Sequence, residues 1–105
     1  KEPPPLRQKY VNEVAKLRDK AANMRKEGYL EEEIGRTLHA DRRALGEKYK
    51  ELTPPAKLAE IYERNMKNYG DKLGPSIEWL RNKGNKSWEQ IIESSSRAGG
   101  TDLGF

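Results

Sequence analysis

The 105-residue chain contains no cysteine, a single histidine and a single phenylalanine. Without thiols there is no disulfide framework, no thiol nucleophile and no thiolate metal site. One histidine leaves no zinc site of the usual kind. No apolar run approaches membrane-spanning length and no signal-peptide pattern is visible, so no stable membrane association of this domain is expected. At this length there is no room for a second core.

Hydrophobic residues make up 33% of the chain and charged residues 36%, split over both signs. Five Tyr and two Trp can anchor a modest core, which favours a folded helical domain over disorder. The net charge of +4 is uneven: residues 1–50 carry 13 Lys+Arg against 9 Asp+Glu, and residues 51–105 carry 8 against 8. A basic balance of this size permits a polyanionic partner without requiring one. The opening Pro3-Pro4-Pro5 reads as a stiff linker over residues 1–5, leaving 6–105 as one domain.

Periodicity predicts an all-α bundle of four to five helices with a Gly/Ser-rich C-terminal tail. Tyr10, Val14, Leu17, Ala21 and Met24 repeat at helical spacing and predict a first helix over Pro5–Lys26, ended by Gly28. A second helix is expected over 30–52, with acidic residues in its first turn and Lys48 and Lys50 in its last. Beside its apolar stripe runs a second one, Gly35, His39, Arg42, Arg43, Gly46 and Lys50. Mid-helix glycines cost about 1 kcal/mol each against alanine, so another surface is expected to approach there. Thr53 is expected to cap a third helix reaching Tyr69. Two short helices follow, over 76–83 and from Ser87 on, the latter with the capping-box form Ser87-x-x-Gln90.

Three polar residues, Asp41, Asn65 and Ser95, fall on stripes that should be buried. Each is either a cap or exposed at a kink, or the three converge on a polar pocket, because a buried polar group needs a hydrogen-bonding partner. His39 is the only side chain with an ordinary pKa near neutrality, and Arg42 and Arg43 stand three and four residues after it. That set suffices for RNA cleavage without a metal: an imidazole takes the 2′-hydroxyl proton while cations stabilise the phosphate. The bland alternative is a solvated helix face. Tyr49 and Tyr69, at helix ends, are candidate base-stacking platforms, with core packing as the alternative. Asp71 and Asp102 lie in glycine-rich loops but in no recognisable metal motif, and no metal or other cofactor is expected. Ser95 and Arg97, followed by Gly99-Gly100-Thr101, form either a phosphate cradle or a frayed end.

One pattern of spaced residues goes further. It comprises Arg43-Ala44-Leu45-Gly46-x-Lys48-Tyr49-Lys50-x-Leu52-Thr53-Pro54, Ile61-Tyr62-x-Arg64-Asn65, Tyr69-Gly70-Asp71-x-Leu73-Gly74-Pro75 and Trp79-Leu80-Arg81. It continues through Lys86-Ser87-Trp88-Glu89-x-Ile91-Ile92-Glu93-Ser94 and Gly99-Gly100-x-Asp102-Leu103-Gly104. This resembles the C-terminal toxin domains of bacterial polymorphic toxins, the contact-dependent growth inhibition and Rhs-type secreted proteins; Lys72 and Asn85 depart from the pattern. The resemblance implies a domain carried at the cell surface or secreted within a large effector and acting in the cytoplasm of a competing cell. It implies a cognate immunity protein, expected to be acidic, and leaves room for a host-cell protein activator.

The combined expectation is a metal-independent ribonuclease acting on tRNA or other RNA. His39, Asp41, Arg42, Arg43, Asp71, Ser95 and Arg97 are the expected catalytic set. Lys48, Tyr49, Lys50, Arg64, Asn65, Tyr69 and Thr101 are the expected substrate contacts. Two rival classes stay open: a nucleic-acid binder without catalysis, supported by the basic first half, and a protein-interaction domain of charged helices.

Overall fold

A computed structural model describes residues 5–97. The first helix, α1 (Pro5–Lys26), presents Tyr10, Val14, Leu17 and Ala21 as its buried stripe. Gly28 adopts a left-handed φ of 91° and turns the chain back, with the Tyr29 amide donating to the Met24 carbonyl at 3.0 Å. The second helix, α2 (Glu31–Lys48), then runs antiparallel to α1: Leu17 and Ala21 meet Ile34 and Leu38, while Tyr10 and Val14 meet Tyr49.

The second helix ends at Lys48, not at residue 52 as its sequence pattern predicts. Tyr49 leaves helical geometry at φ −109° and ψ 23°, and its ring packs edge-on against Tyr10 with centroids 5.5 Å apart. Lys50–Leu52 forms a single 3-10 turn. Thr53 is extended because Pro54 follows it, so Pro54, and not Thr53, holds the cap position of α3 (Pro55–Tyr69). Gly70 closes α3 in the left-handed region.

Ser76 caps α4 (Ile77–Asn82) by accepting the Trp79 amide at 3.1 Å. Ser87 and Gln90 make the expected capping box ahead of α5 (Trp88–Ser95). The last helix packs on α2 and α1, setting Ile92 among Leu17, Ala21, Ile34 and Leu38. This contact explains Gly35, where a Cβ would stand 2.8 Å from Cε3 of Trp88. The fold is all-α, with no strand among the described residues. None of these helices is long and apolar enough to cross a membrane.

Candidate functional site

The loop between α3 and α4, 70–75, gathers polar side chains from two helices. Asp71 shapes it from within: its Oδ1 accepts the Leu73 amide at 2.9 Å, and its backbone carbonyl accepts the Gly74 amide at 3.0 Å. From α2, Arg43 Nη2 donates to Asp71 Oδ2 at 2.7 Å, and both side chains are largely shielded from solvent. Also from α2, His39 Nε2 lies 3.0 Å from the carbonyl oxygen of Pro75. A carbonyl only accepts, so Nε2 carries the hydrogen and Nδ1 holds the lone pair of the neutral ring. From α3, Asn65 Nδ2 donates to the Lys72 carbonyl at 3.0 Å.

His39 and Arg43 reach the same loop because they sit four residues apart, one turn of one helix face. Burial pushes the His39 imidazole below the ordinary histidine range; the Pro75 carbonyl pulls it back up, and the Arg43 charge adds to the lowering. The ring is therefore neutral at neutral pH. Burial works to raise the Asp71 carboxyl, but the Arg43 hydrogen bond, the Leu73 amide and nearby positive charge outweigh it and hold the group below its usual value. The arrangement is a neutral imidazole beside a neutralised ion pair, all anchored to one loop.

Four of the residues expected from sequence thus come together: His39, Arg43, Asn65 and Asp71. Tyr69 stands just before the loop and packs edge-on against Trp79, centroids 4.7 Å apart. The others go elsewhere. Asp41 points away from the loop to the outer face of the α1–α2 pair, where it meets Lys20 at 2.6 Å. It lies inside a continuous helix and caps nothing, because no break occurs between Glu31 and Lys48. Arg42 is buried with its guanidinium 5.4 Å from the Tyr10 ring centroid. Ser95 is buried on α5, the helix packed against α1 and α2, and Arg97 is exposed just beyond that helix.

Among the expected substrate contacts, Tyr49 is core. It is 6% exposed, and its hydroxyl donates to Glu13. Lys48 pairs with the same Glu13 at 3.1 Å, and Lys50 lies 3.7 Å from Glu47. Arg64 is exposed on α3. Thr101 and Asp102 lie outside the described residues.

One contributor to the loop site had no place in the sequence argument. The Pro75 carbonyl leaves no trace in a side-chain pattern, since any residue supplies a backbone oxygen. Trp88 carries two guanidiniums over its ring, Arg36 at 5.2 Å and Arg81 at 4.5 Å. Gly35, directly before Arg36, had hinted that another surface would arrive there, and the Trp88 ring is that surface. Among the described residues no group of three His, Cys, Asp or Glu side chains could hold a metal ion. Comparisons with protein-family models, with curated proteins and with solved structures find no match to this chain.

Proposed function

We propose that this chain is an antibacterial toxin domain of the polymorphic-toxin kind and that it cleaves RNA without a metal, with His39 as its base. The observation that carries the reading is the neutral, half-buried His39 beside Arg43, held by a loop whose Tyr69-Gly70-Asp71-x-Leu73-Gly74-Pro75 sequence belongs to the toxin-like pattern. In the proposed step Nδ1 of His39 takes the proton of a ribose 2′-hydroxyl. The 2′-oxygen bonds to phosphorus, the bond from phosphorus to the 5′-oxygen breaks, and the departing oxygen takes a proton from water. Arg43 offers its remaining N–H donors to the phosphate oxygens. The products are a 2′,3′-cyclic phosphate and a free 5′-hydroxyl. The cognate immunity protein would be acidic, to complement the basic surface.

The experiment is expression of the domain in bacteria with and without the adjacent downstream gene, followed by end-mapping of total RNA. Growth arrest with cyclic-phosphate ends, relieved by the neighbouring gene, supports the reading. Intact RNA and tRNA, with purified protein alone and with cell extract, overturns it.

One observation favours a second reading, nucleic-acid binding without cleavage. Asp71 already neutralises Arg43, the cation that reaches the loop from α2, which leaves less charge to stabilise a transition state. Salt-dependent binding with no cleavage product is the outcome that distinguishes this reading.

A further inference from the structure

Two guanidiniums from different helices converge on the ring of Trp88, the first residue of α5. Arg36 comes from α2, 5.2 Å from the ring centroid, and Arg81 from the last turn of α4, at 4.5 Å. The ring is half-buried, while both arginines are exposed. Each is also tied from a second side: Arg36 Nε donates to Glu32 at 3.0 Å, and Arg81 Nη1 donates to the Lys86 carbonyl at 3.0 Å. A planar guanidinium held at two points has little rotamer freedom left to lose when something stacks on it.

Two routes make this cluster a neighbour of His39. On α2 the Trp88 ring rests against Gly35, and His39 follows Gly35 by four residues on the same face, a rise of about 6 Å. On α4 the chain leaves Pro75, whose carbonyl meets His39, and reaches Arg81 one short helix later. The charge there is positive. Glu32 is taken up by Arg36, while Glu89 and Glu78 act on Arg25 and His39. That leaves Arg81, Lys83 and Lys86, all exposed, without an ion pair among the described residues.

We propose that Arg36, Trp88 and Arg81 form a stacking platform for a nucleobase, and that the substrate is an unpaired stretch of RNA. The proposal names the substrate of the site proposed above as a ribonuclease, and it rests on that reading. A strand with its scissile phosphate at His39 brings a neighbouring base within one helical turn of the two guanidiniums. In a duplex each base face is closed by its own neighbours, so only unpaired bases offer a face to stack. Every base has such a face, so the platform reads the state of the strand and not its sequence.

The test uses the full chain carrying His39→Gln, to prevent cleavage, and a labelled oligoribonucleotide, alone or annealed to its complement. Fluorescence anisotropy at fixed salt is expected to show the single strand bound about tenfold tighter than the duplex. Adding Arg81→Gln is expected to weaken the single strand by about fivefold or more and to remove most of that preference. Lys57→Gln removes the same charge from an exposed position at the start of α3 and is expected to keep the preference. If thermal unfolding shows that Arg81→Gln does not fold, Arg36→Gln, whose other contact is a surface ion pair, carries the same expectation. Equal affinity for the two forms, or none for either, overturns the platform, and so does an equal loss in Lys57→Gln. Cleavage is scored separately on the chain with His39 intact. Cleavage together with binding indifferent to Arg81 and Arg36 sinks the platform alone. Single-strand binding that depends on Arg81, with no cleavage, sinks the ribonuclease reading and leaves the platform standing.

Discussion

The imidazole of His39 and the carbonyl oxygen of Pro75 meet at 3.0 Å and join the middle of α2 to the entrance of α4. A single side chain therefore couples a helix of the main hairpin to the loop that also holds Asp71.

His39 makes stability depend on pH. Its folded pKa is below the ordinary value of 6.5, so the unfolded chain binds the proton more readily. Stability is full above that value and falls as pH drops through it toward the folded pKa. His39→Gln, which keeps an N–H donor, is expected to flatten this slope between neutral and mildly acidic pH. Urea unfolding at a series of pH values checks it. Wild-type RNA cleavage should rise with pH through a value below 6.5 and level off near neutrality, and His39→Gln should lack it altogether.

Arg43 and Asp71 are expected to be coupled. Asp71→Ala removes the ion pair and the turn bond to Leu73 together, and should destabilise the domain by about 1–2 kcal/mol. Arg43→Gln alone should cost less, because partial exposure screens the pair. A double-mutant cycle in chemical denaturation reads the coupling. A coupling energy of zero would mean that the contact does not order the loop.

Asp41→Asn provides the contrast. Its pair with Lys20 lies on an exposed face away from the loop, so the change should cost less than about 1 kcal/mol. RNA cleavage should be unchanged. A loss comparable to that of His39→Gln would show that Asp41 serves the site after all.

Gly35→Ala sets two effects against each other. Alanine gains about 1 kcal/mol of helix propensity, but its Cβ would stand 2.8 Å from the Trp88 ring, and overpacking costs about 1–3 kcal/mol. The ring lies against α2 and is covered by Arg36 and Arg81, so repacking should win and α5 should loosen. Tryptophan fluorescence and a lowered urea midpoint are the readouts.

Hydropathy periodicity made α1 legible to its last residue, because a long apolar stripe and a following glycine act locally. The capping box at Ser87 and the end of α3 at Tyr69 were legible for the same reason. The early end of α2 was not. Tyr49 leaves the helix to reach Tyr10, a partner 39 positions earlier in the sequence, and such a pull lies outside any local window.

The candidate site divides in the same way. Sequence alone determined that His39 and Arg43 share a helix face, that Asn65 falls on a buried stripe, and that a glycine-bounded turn holds Asp71. Tertiary structure alone decided that these residues meet, since α2 reaches the loop through an ion pair and a backbone carbonyl far away in the chain. It also sent Asp41 to Lys20 and Tyr49 into the core. Helical spacing orders side chains around one axis, and only the packing of several axes against one another selects which side chains share a space.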